Sequence, residues 1–514
     1  MKITFLGHAS FLVQTKDTNL LIDPWYSDKG AFLRSWYQFP KNHHMIEFII
    51  EEFKLKKNNY IFVTHNHEDH FDVRTLSVLS SYCKNLIIPD YKNKFFQSQA
   101  NELNFDNLLI FGEEKSNKAG DLTLNIFIQE TSINIDSGIL VSNKNNQTFL
   151  NLNDCKLHDR FDYISEKYGK INVLTQQFSG ASMHPVTYQY ATEEYKKICS
   201  RKKKSKMRGV INAAKILLPD YFIPAAGPPV FLRDCLLKLN FESDTTFPKF
   251  WEFYEFFKKS VIKTQYLPLN LKGYIDLSQD KIEGKMEKMS YKKYKTFVDN
   301  YRKYFLDYTD EEKFFDANVK TNLFRELKEK LAIMKDFSTD NYSDHDIHVI
   351  YFTSDNVSFI EVNLKQKKIS FVDEITEASY YCHVYEDEFL NFVLKGQCTW
   401  SAYFLSFMFK NKRTPDKYNT LIEAFLISNN PEEFMISLRH IEELRKNNEK
   451  IKVKNHENGV EYSCKRFCPH QGADLKYAIV KDGKVVCPRH GWKFDLKKGG
   501  QCISNNFTIN SEII

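Results

Sequence analysis

Glycine and proline are scarce in this 514-residue chain, at 18 and 14 respectively. The few glycines never form the G-x-G-x-x-G that opens a dinucleotide-binding helix. A built-in flavin or nicotinamide site is therefore not expected, and any reductase must be a separate protein. No stretch reaches the roughly 20 apolar residues that span a bilayer. Met1-Lys-Ile-Thr-Phe5 leads straight into a strand pattern rather than a signal peptide. Ten cysteines lie scattered, which speaks against a disulfide-stapled secreted fold. A net charge of +6 is small for this length and does not mark a nucleic-acid binder. The expectation is a cytoplasmic enzyme with neither membrane nor nucleic acid as partner. Apolar residues make up 42% of the chain, including 43 Phe and 28 Tyr. That is enough for the two to four folding units this length implies.

Two clusters of metal-ligating residues stand at opposite ends. Near the C-terminus, Cys468-Pro-His470 is followed, after residues 471 to 486, by Cys487-Pro-Arg-His490. Zinc knuckles pair Cys with Cys and His with His, whereas here each short loop supplies one of each. A Rieske 2Fe–2S centre needs this set, with two thiolates on one iron and two imidazoles on the other. The segments Cys468-Pro-His-Gln-Gly-Ala-Asp474 and His490-Gly-Trp-Lys-Phe-Asp495 resemble the cluster loops of Rieske ferredoxins and ring-hydroxylating oxygenases. Position 473 is Ala, so the extra loop cysteine of the respiratory-chain type is missing, and Cys464 and Cys502 read as plain thiols. Strands at 451–453, 460–462 and 484–486 fit a small antiparallel β unit with His470 and His490 exposed at its tip.

Near the N-terminus, the apolar run Tyr60-Ile-Phe-Val-Thr64 releases His65-Asn-His67-Glu-Asp69-His70. Three imidazoles and a carboxylate at a strand end can furnish two adjacent metal ions, with His65 and His67 on one and Asp69 and His70 on the other. Before it, residues 1–10 and Leu20-Leu-Ile-Asp23-Pro24 read as a hairpin of two buried strands. After it, Phe149-Leu-Asn-Leu-Asn-Asp154 is an apolar strand ending in a carboxylate. This order resembles the metallo-β-lactamase superfamily, which implies an αββα sandwich with metals at its strand-end edge and Asp154 bridging them. Asp69 and Asp154 are then the carboxylates placed for catalysis.

Together the two ends resemble the cytidine monophosphate-N-acetylneuraminate hydroxylase family, which pairs a metallo-β-lactamase-like domain with a Rieske domain. The likeness is carried by Thr4-Phe-Leu-Gly-His8, Ile22-Asp-Pro-Trp25, Phe149–Cys155, Phe178-Ser-Gly-Ala-Ser182 and Phe222-Ile-Pro-Ala-Ala-Gly227 in that order. Here the Rieske domain is C-terminal, the reverse of that family. Two family histidines are missing, one in Gln129-Glu-Thr-Ser-Ile-Asn-Ile-Asp136 and one in Pro228-Pro-Val-Phe-Leu-Arg233. His8, His184 or Glu130 could fill the gaps; the departure implies that one metal position is incompletely furnished.

Zinc has no redox chemistry and cannot take an electron from a cluster, whereas imidazole-carboxylate ligation with open positions suits ferrous iron that activates dioxygen. The resulting expectation is a nonhaem iron monooxygenase, mononuclear or dinuclear, fed by an external ferredoxin, cytochrome or flavin reductase. By resemblance its substrate is a small polar metabolite such as a nucleotide-activated sugar, and a homodimer is compatible with this reading. The alternatives are a zinc hydrolase carrying a Rieske redox module and a non-catalytic electron-transfer protein. The basic run Arg201-Lys-Lys-Lys-Ser-Lys-Met-Arg208 reads first as a solvated helix face and second as an anion site. The expected fold class is α+β and multidomain. Its parts are a metallo-β-lactamase-like domain (1–240), a helical cover (241–340) including a helical stretch from Asp310 to Met334, an α+β interaction unit that resembles sterol-carrier-protein domains (341–445), and an all-β Rieske domain (446–514). Arg445–Lys450 reads as the linker into the last.

Overall fold

The computed structural model describes every residue except 114, 261, 306–317, 338–346, 456–457 and 505–506. Two sheets build the N-terminal half. The first runs, edge to edge, Lys281–Lys285, Leu269–Asp276, Lys2–Gly7, Ser10–Gln14, Thr18–Ile22, Asn58–Phe62, Asn85–Pro89 and Asn107–Phe111. The second runs Gln265–Tyr266, Tyr221–Ala225, Val173–Gln177, Thr148–Asn151, Ile135–Asn143, Leu122–Glu130 and Ser116–Ala119. Alternation of side chains along each strand dictates the layering. Phe149, Val173 and Ile223 enter the core between the sheets, while Leu150, Leu174 and Phe222 pack outward on helices Phe161–Tyr168, Thr192–Leu217 and Phe250–Lys258. Helices Met45–Lys54 and Val73–Leu79 bury Met45, Ile49, Leu76 and Leu79 with the first sheet. The outcome is an αββα sandwich.

Two details differ from the sequence expectation. Residues 1–10 and 20–24 do not pair with each other, because Ser10–Gln14 lies between them as a third strand. The sandwich does not stop at 240: Gln265–Tyr266 and Lys281–Lys285 supply an edge strand to each sheet, with Leu269–Asp276 next to the latter, so the 241–340 segment is only partly a helical cover. These edge strands read poorly in sequence because their outer faces are exposed and Lys-rich. Of the helical stretch expected from Asp310, residues 310–317 lie outside the described residues; Val319–Ala332 is helical.

A third sheet, ordered Lys368–Val372, Phe359–Asn363, Val349–Thr353, Tyr380–Tyr385 and Phe409–Thr414, carries helices Asp387–Leu394, Trp400–Ser406 and Thr420–Ile427. Its core is continuous with the lactamase half, since Trp36, Phe231 and Phe247 join Trp400, Phe407 and Leu421 in one cluster. Helix Pro431–Lys446 begins on the Asn430 side chain, which accepts the Glu433 N–H, with Pro431 in the first turn. It runs through Arg445 and Lys446, whose charges suit a helix C-terminus. The link to the last domain is thus only residues 447–449. There a three-stranded sheet (Lys450–Lys454, Glu461–Lys465, Glu512–Ile513) and a four-stranded sheet (Ile479–Lys481, Lys484–Val486, Lys493–Asp495, Gln501–Cys502) enclose a core around Tyr462, Leu475, Phe494 and Ile509. Among the described residues no helix is long and apolar enough to cross a membrane.

Candidate metal centre and cluster site

The strand Asn58–Phe62 is parallel to both neighbours and ends at Val63-Thr64, so the polar loop from His65 to His70 emerges at the sheet's C-terminal edge. Asp23, at the end of Thr18–Ile22, organises that edge. Its carboxylate accepts the Thr64 N–H (2.8 Å), the Thr64 hydroxyl (2.8 Å) and the Asn153 amide (2.6 Å), and it binds His70 Nδ1 at 2.7 Å. Fixing Nδ1 leaves His70 Nε2 to face inward, where it lies 3.7 Å from Asp69 and 3.6 Å from Asp154. His70 Nε2 and Asp154 Oδ1 are both buried without a hydrogen-bond partner. Buried polar atoms are rarely left so. A divalent ion would satisfy both, so these residues fit a metal.

The described residues form two overlapping triads with ligand atoms within 4.8 Å of one another: His8, Asp69 and His70, and His65, His70 and Asp154. This divides the motif differently from the spacing. His70 is common to both groups, Asp69 partners His8 through a 2.9 Å contact, and His67 stands beside His65 (2.9 Å) with its other nitrogen on Ser401. Asp136 adds a carboxylate 3.6 Å from His65 Nε2. His8 and Asp136 thus join the motif residues around His70 and His65. Neither is recoverable from local spacing, because each arrives from a different strand end. Of the other candidates, His184 bonds Tyr190 (2.8 Å) and Arg413 (3.2 Å), and Glu130 accepts the backbone N–H groups of Lys92 and Asn93. Arg233 is buried and bonds the Leu33 carbonyl.

Charge around His70 is heavily negative. Burial opposes the His70 imidazolium, but Asp69, Asp23 and Asp154 outweigh it and raise its pKa to about 10. Burial, with Asp69 and Asp136 and against His70, pushes Asp154 up to about 7. Carboxylates crowded in this way favour a bound cation.

The cluster loops are near copies of one another. The Cys468 N–H donates to the carbonyl of Ala473 and the Gly472 N–H returns to Cys468; the Cys487 N–H donates to Trp492 and the Gly491 N–H returns to Cys487. Gly472 and Gly491 take φ of +69° and +72°, a backbone region that favours glycine. Each loop thereby presents its Cys and His to the same point. The thiols hydrogen-bond to each other: this bond lowers Cys487, while burial and the same bond raise Cys468. The His470 and His490 rings lie 4.9 Å apart. Burial, with Arg489 and Lys156, holds His470 down to about 3, so its imidazole is neutral, the form that binds metal. Both of its ring nitrogens are buried without a partner, and Trp492 stacks on the ring at 4.0 Å. The set fits a 2Fe–2S cluster. No disulfide joins any of the ten cysteines, all of them among the described residues, Cys464 and Cys502 included.

The two sites open into one cavity of about 1320 Å³, lined at one end by His67, Asp136 and Asp154 and at the other by His470, Cys487 and His490. The Rieske loops are seated on the lactamase half by Asp159. Its carboxylate receives Arg489 at 2.9 and 3.1 Å and the Asp474 N–H at 3.0 Å.

Residues 2–149 match the β-lactamase superfamily domain and residues 436–510 match the Rieske [2Fe-2S] domain. The chain therefore joins an N-terminal β-lactamase-fold domain to a C-terminal Rieske domain, the domain content that the resemblance implied. A Rieske 2Fe-2S iron-sulfur protein of Mycobacterium tuberculosis is 27% identical over 246 residues, 47% of this chain and 46% of the relative. A counterpart in Mycolicibacterium smegmatis is 28% identical over 247 residues, with the same shares. The aligned part spans about half the length of these curated relatives. Among solved structures, CmlA, a diiron β-hydroxylase from Streptomyces venezuelae, aligns over 44% of both chains at 15% identity and a TM-score of 0.33.

Proposed function

We propose that this protein is a Rieske-coupled, iron-dependent oxygenase. An external ferredoxin, cytochrome or flavin reductase supplies the 2Fe–2S cluster, and the cluster supplies an iron site in the β-lactamase-fold domain. The substrate is a polar metabolite such as a nucleotide-activated sugar, hydroxylated at carbon or oxygenated at nitrogen. The observation that supports this reading is the shared cavity, which brings His67, Asp136 and Asp154 of one centre and His470, Cys487 and His490 of the other onto one surface of a single chain. A one-electron carrier opening onto a second metal site has use only for a redox-active metal there, which favours iron over zinc.

In this reading His65, His67, Asp69, His70 and Asp154 hold the iron, joined by His8 and Asp136, and Cys468, His470, Cys487 and His490 hold the cluster. Iron so bound supplies dioxygen activation when the cluster is reduced. The chain's own residues set the stage for it. Asp23 keeps His70 Nδ1 engaged, so that Nε2 is the free donor. Ser401, on helix Trp400–Ser406, fixes the His67 ring, and that helix closes one wall against bulk water.

Iron and acid-labile sulfide analysis of anaerobically purified protein tests the reading. Iron beyond the two of the cluster, lost in His67→Ala and kept in Cys487→Ala, is expected. Zinc in that position would favour a metallo-hydrolase instead, and a cluster with nothing else bound would leave an electron carrier.

A further inference from the structure

The basic run on helix Thr192–Leu217 is divided by helical geometry into three groups. Lys203 points into the protein and is neutralised, donating to Glu252 at 2.8 Å and to the Ser243 carbonyl at 2.6 Å. Arg201, Lys204 and Arg208 are exposed, and of these the two arginines also line the cavity. Lys202 and Lys206, four residues apart and so on one face, line the cavity with Ser205, Gly209 and Asn212.

These two ammonium groups are incompletely matched. Lys202 Nζ donates to the His184 carbonyl at 2.7 Å and Lys206 Nζ to Gln177 Oε1 at 2.7 Å, both neutral acceptors. An ammonium carries three donors, and among the described residues neither lysine has a carboxylate within ion-pair distance. Lys156, Arg201 and Arg208 also line the cavity, and among the described residues Lys156 forms no ion pair. The carboxylates in range are engaged or remote. Asp154 faces His70 and Asp136 faces His65, while Glu423 acts on Lys202 only from beyond contact distance. Burial first, then Arg413 and Lys156 respectively, pull Lys202 and Lys206 down to about 7, as expected of cations lacking a counter-ion.

We infer that Lys202 and Lys206, assisted by Lys156, form an oxyanion subsite that anchors a carboxylate or phosphate of the substrate in this cavity. This deepens the oxygenase reading and rests on it for the word substrate. The subsite itself stands on two lysines without an ion pair that face this cavity. Anchored there, a ligand a few atoms long directs its other end toward Asp154, whose charge already acts on Lys206.

The test uses the full chain with inorganic phosphate and acetate as probes, measured by titration calorimetry. The expected result is saturable binding that weakens at least about tenfold in Lys202→Met/Lys206→Met, consistent with loss of charge-assisted hydrogen bonds. It should be unchanged in Lys204→Met, on the exposed face of the same helix. Tighter phosphate than acetate assigns a phosphate ester, and the reverse a carboxylate. A readout free of substitutions is amine labelling of the wild type, in which phosphate should protect Lys202 and Lys206 but not Lys204. Binding that survives in the double variant, or no saturable binding of either probe together with no protection, overturns the inference. Binding that is kept in His67→Ala places the anion on the lysines rather than on a metal, and binding lost there overturns the assignment. The subsite and the iron site thus fail separately, since zinc at the metal centre would remove the oxygenase reading and leave phosphate binding intact.

Discussion

Asp159→Ala is the sharpest probe of how the two halves are held together. Asp159 and Asp154 lie on the same loop, so one end of it borders the metal triad and the other receives both cluster loops. The Asp159 and Arg489 side chains are only 3% and 6% exposed. Truncation leaves Arg489 with the Gln471 carbonyl at 2.8 Å as its remaining partner, and it strands the Asp474 N–H. Removing one partner of a buried ion pair costs about 3–5 kcal/mol, because a charge stays behind desolvated and unpaired. Urea unfolding followed by cluster absorbance should show a loss of this size in the C-terminal unit. Asp159→Asn, which keeps one acceptor, should lose less. Asp159→Ala/Arg489→Met removes both charges and should recover much of the loss. An Asp159→Ala protein within about 0.5 kcal/mol of wild type, the range of an ordinary surface substitution, would refute the reasoning. So would a double variant no better than the single.

Asp23→Ala removes the acceptor that orients His70, and metal affinity should fall about 10–100-fold by chelator competition; unchanged affinity contradicts the orienting role. Gly472→Ala places a Cβ 2.8 Å from Leu444 Cδ2 at a φ of +69°, whereas at Gly491, with φ +72°, nothing lies within 4 Å. Cluster content should therefore fall further in Gly472→Ala than in Gly491→Ala, and equal content would contradict this. Burial, opposed by Arg413 and Lys202, raises Glu423 from 4.5 to about 7. The folded state then binds the proton more tightly than the unfolded one, so this group's contribution is fullest below about pH 4.5 and is lost as pH rises through about 7. In urea midpoints the wild type should lose ground to Glu423→Gln across that window, and parallel curves would rule the shift out.

How much of this was legible in the sequence follows from distance along the chain. The candidate ligands of each loop are neighbours in sequence, so residue type and spacing alone single them out. The alternating strands at 349–353, 359–363, 368–372 and 380–385 were legible for the same local reason, from their period of two. His8 reaches Asp69, 61 positions further on, only because residues 7 and 8 turn back with φ of +102° and +49°. Asp136 reaches His65 through strand register, and Asp159 meets Arg489 across 330 positions. Such convergences are products of tertiary packing and leave no local pattern. Spacing also leaves out Asp23, which lies outside the motif and binds His70 Nδ1, so that His70 Nε2 is common to both triads.

The central claim is that the cluster delivers electrons to the lactamase-fold metal site within one chain. Its most direct test is stopped-flow reoxidation of the dithionite-reduced cluster by O2. Wild type would be compared with His70→Ala, and with His70→Ala mixed with cluster-free Cys487→Ala. Fast reoxidation in wild type, slow reoxidation in His70→Ala and no rescue on mixing are predicted. Reoxidation of His70→Ala as fast as wild type would contradict the account, and rescue on mixing would contradict transfer within the chain.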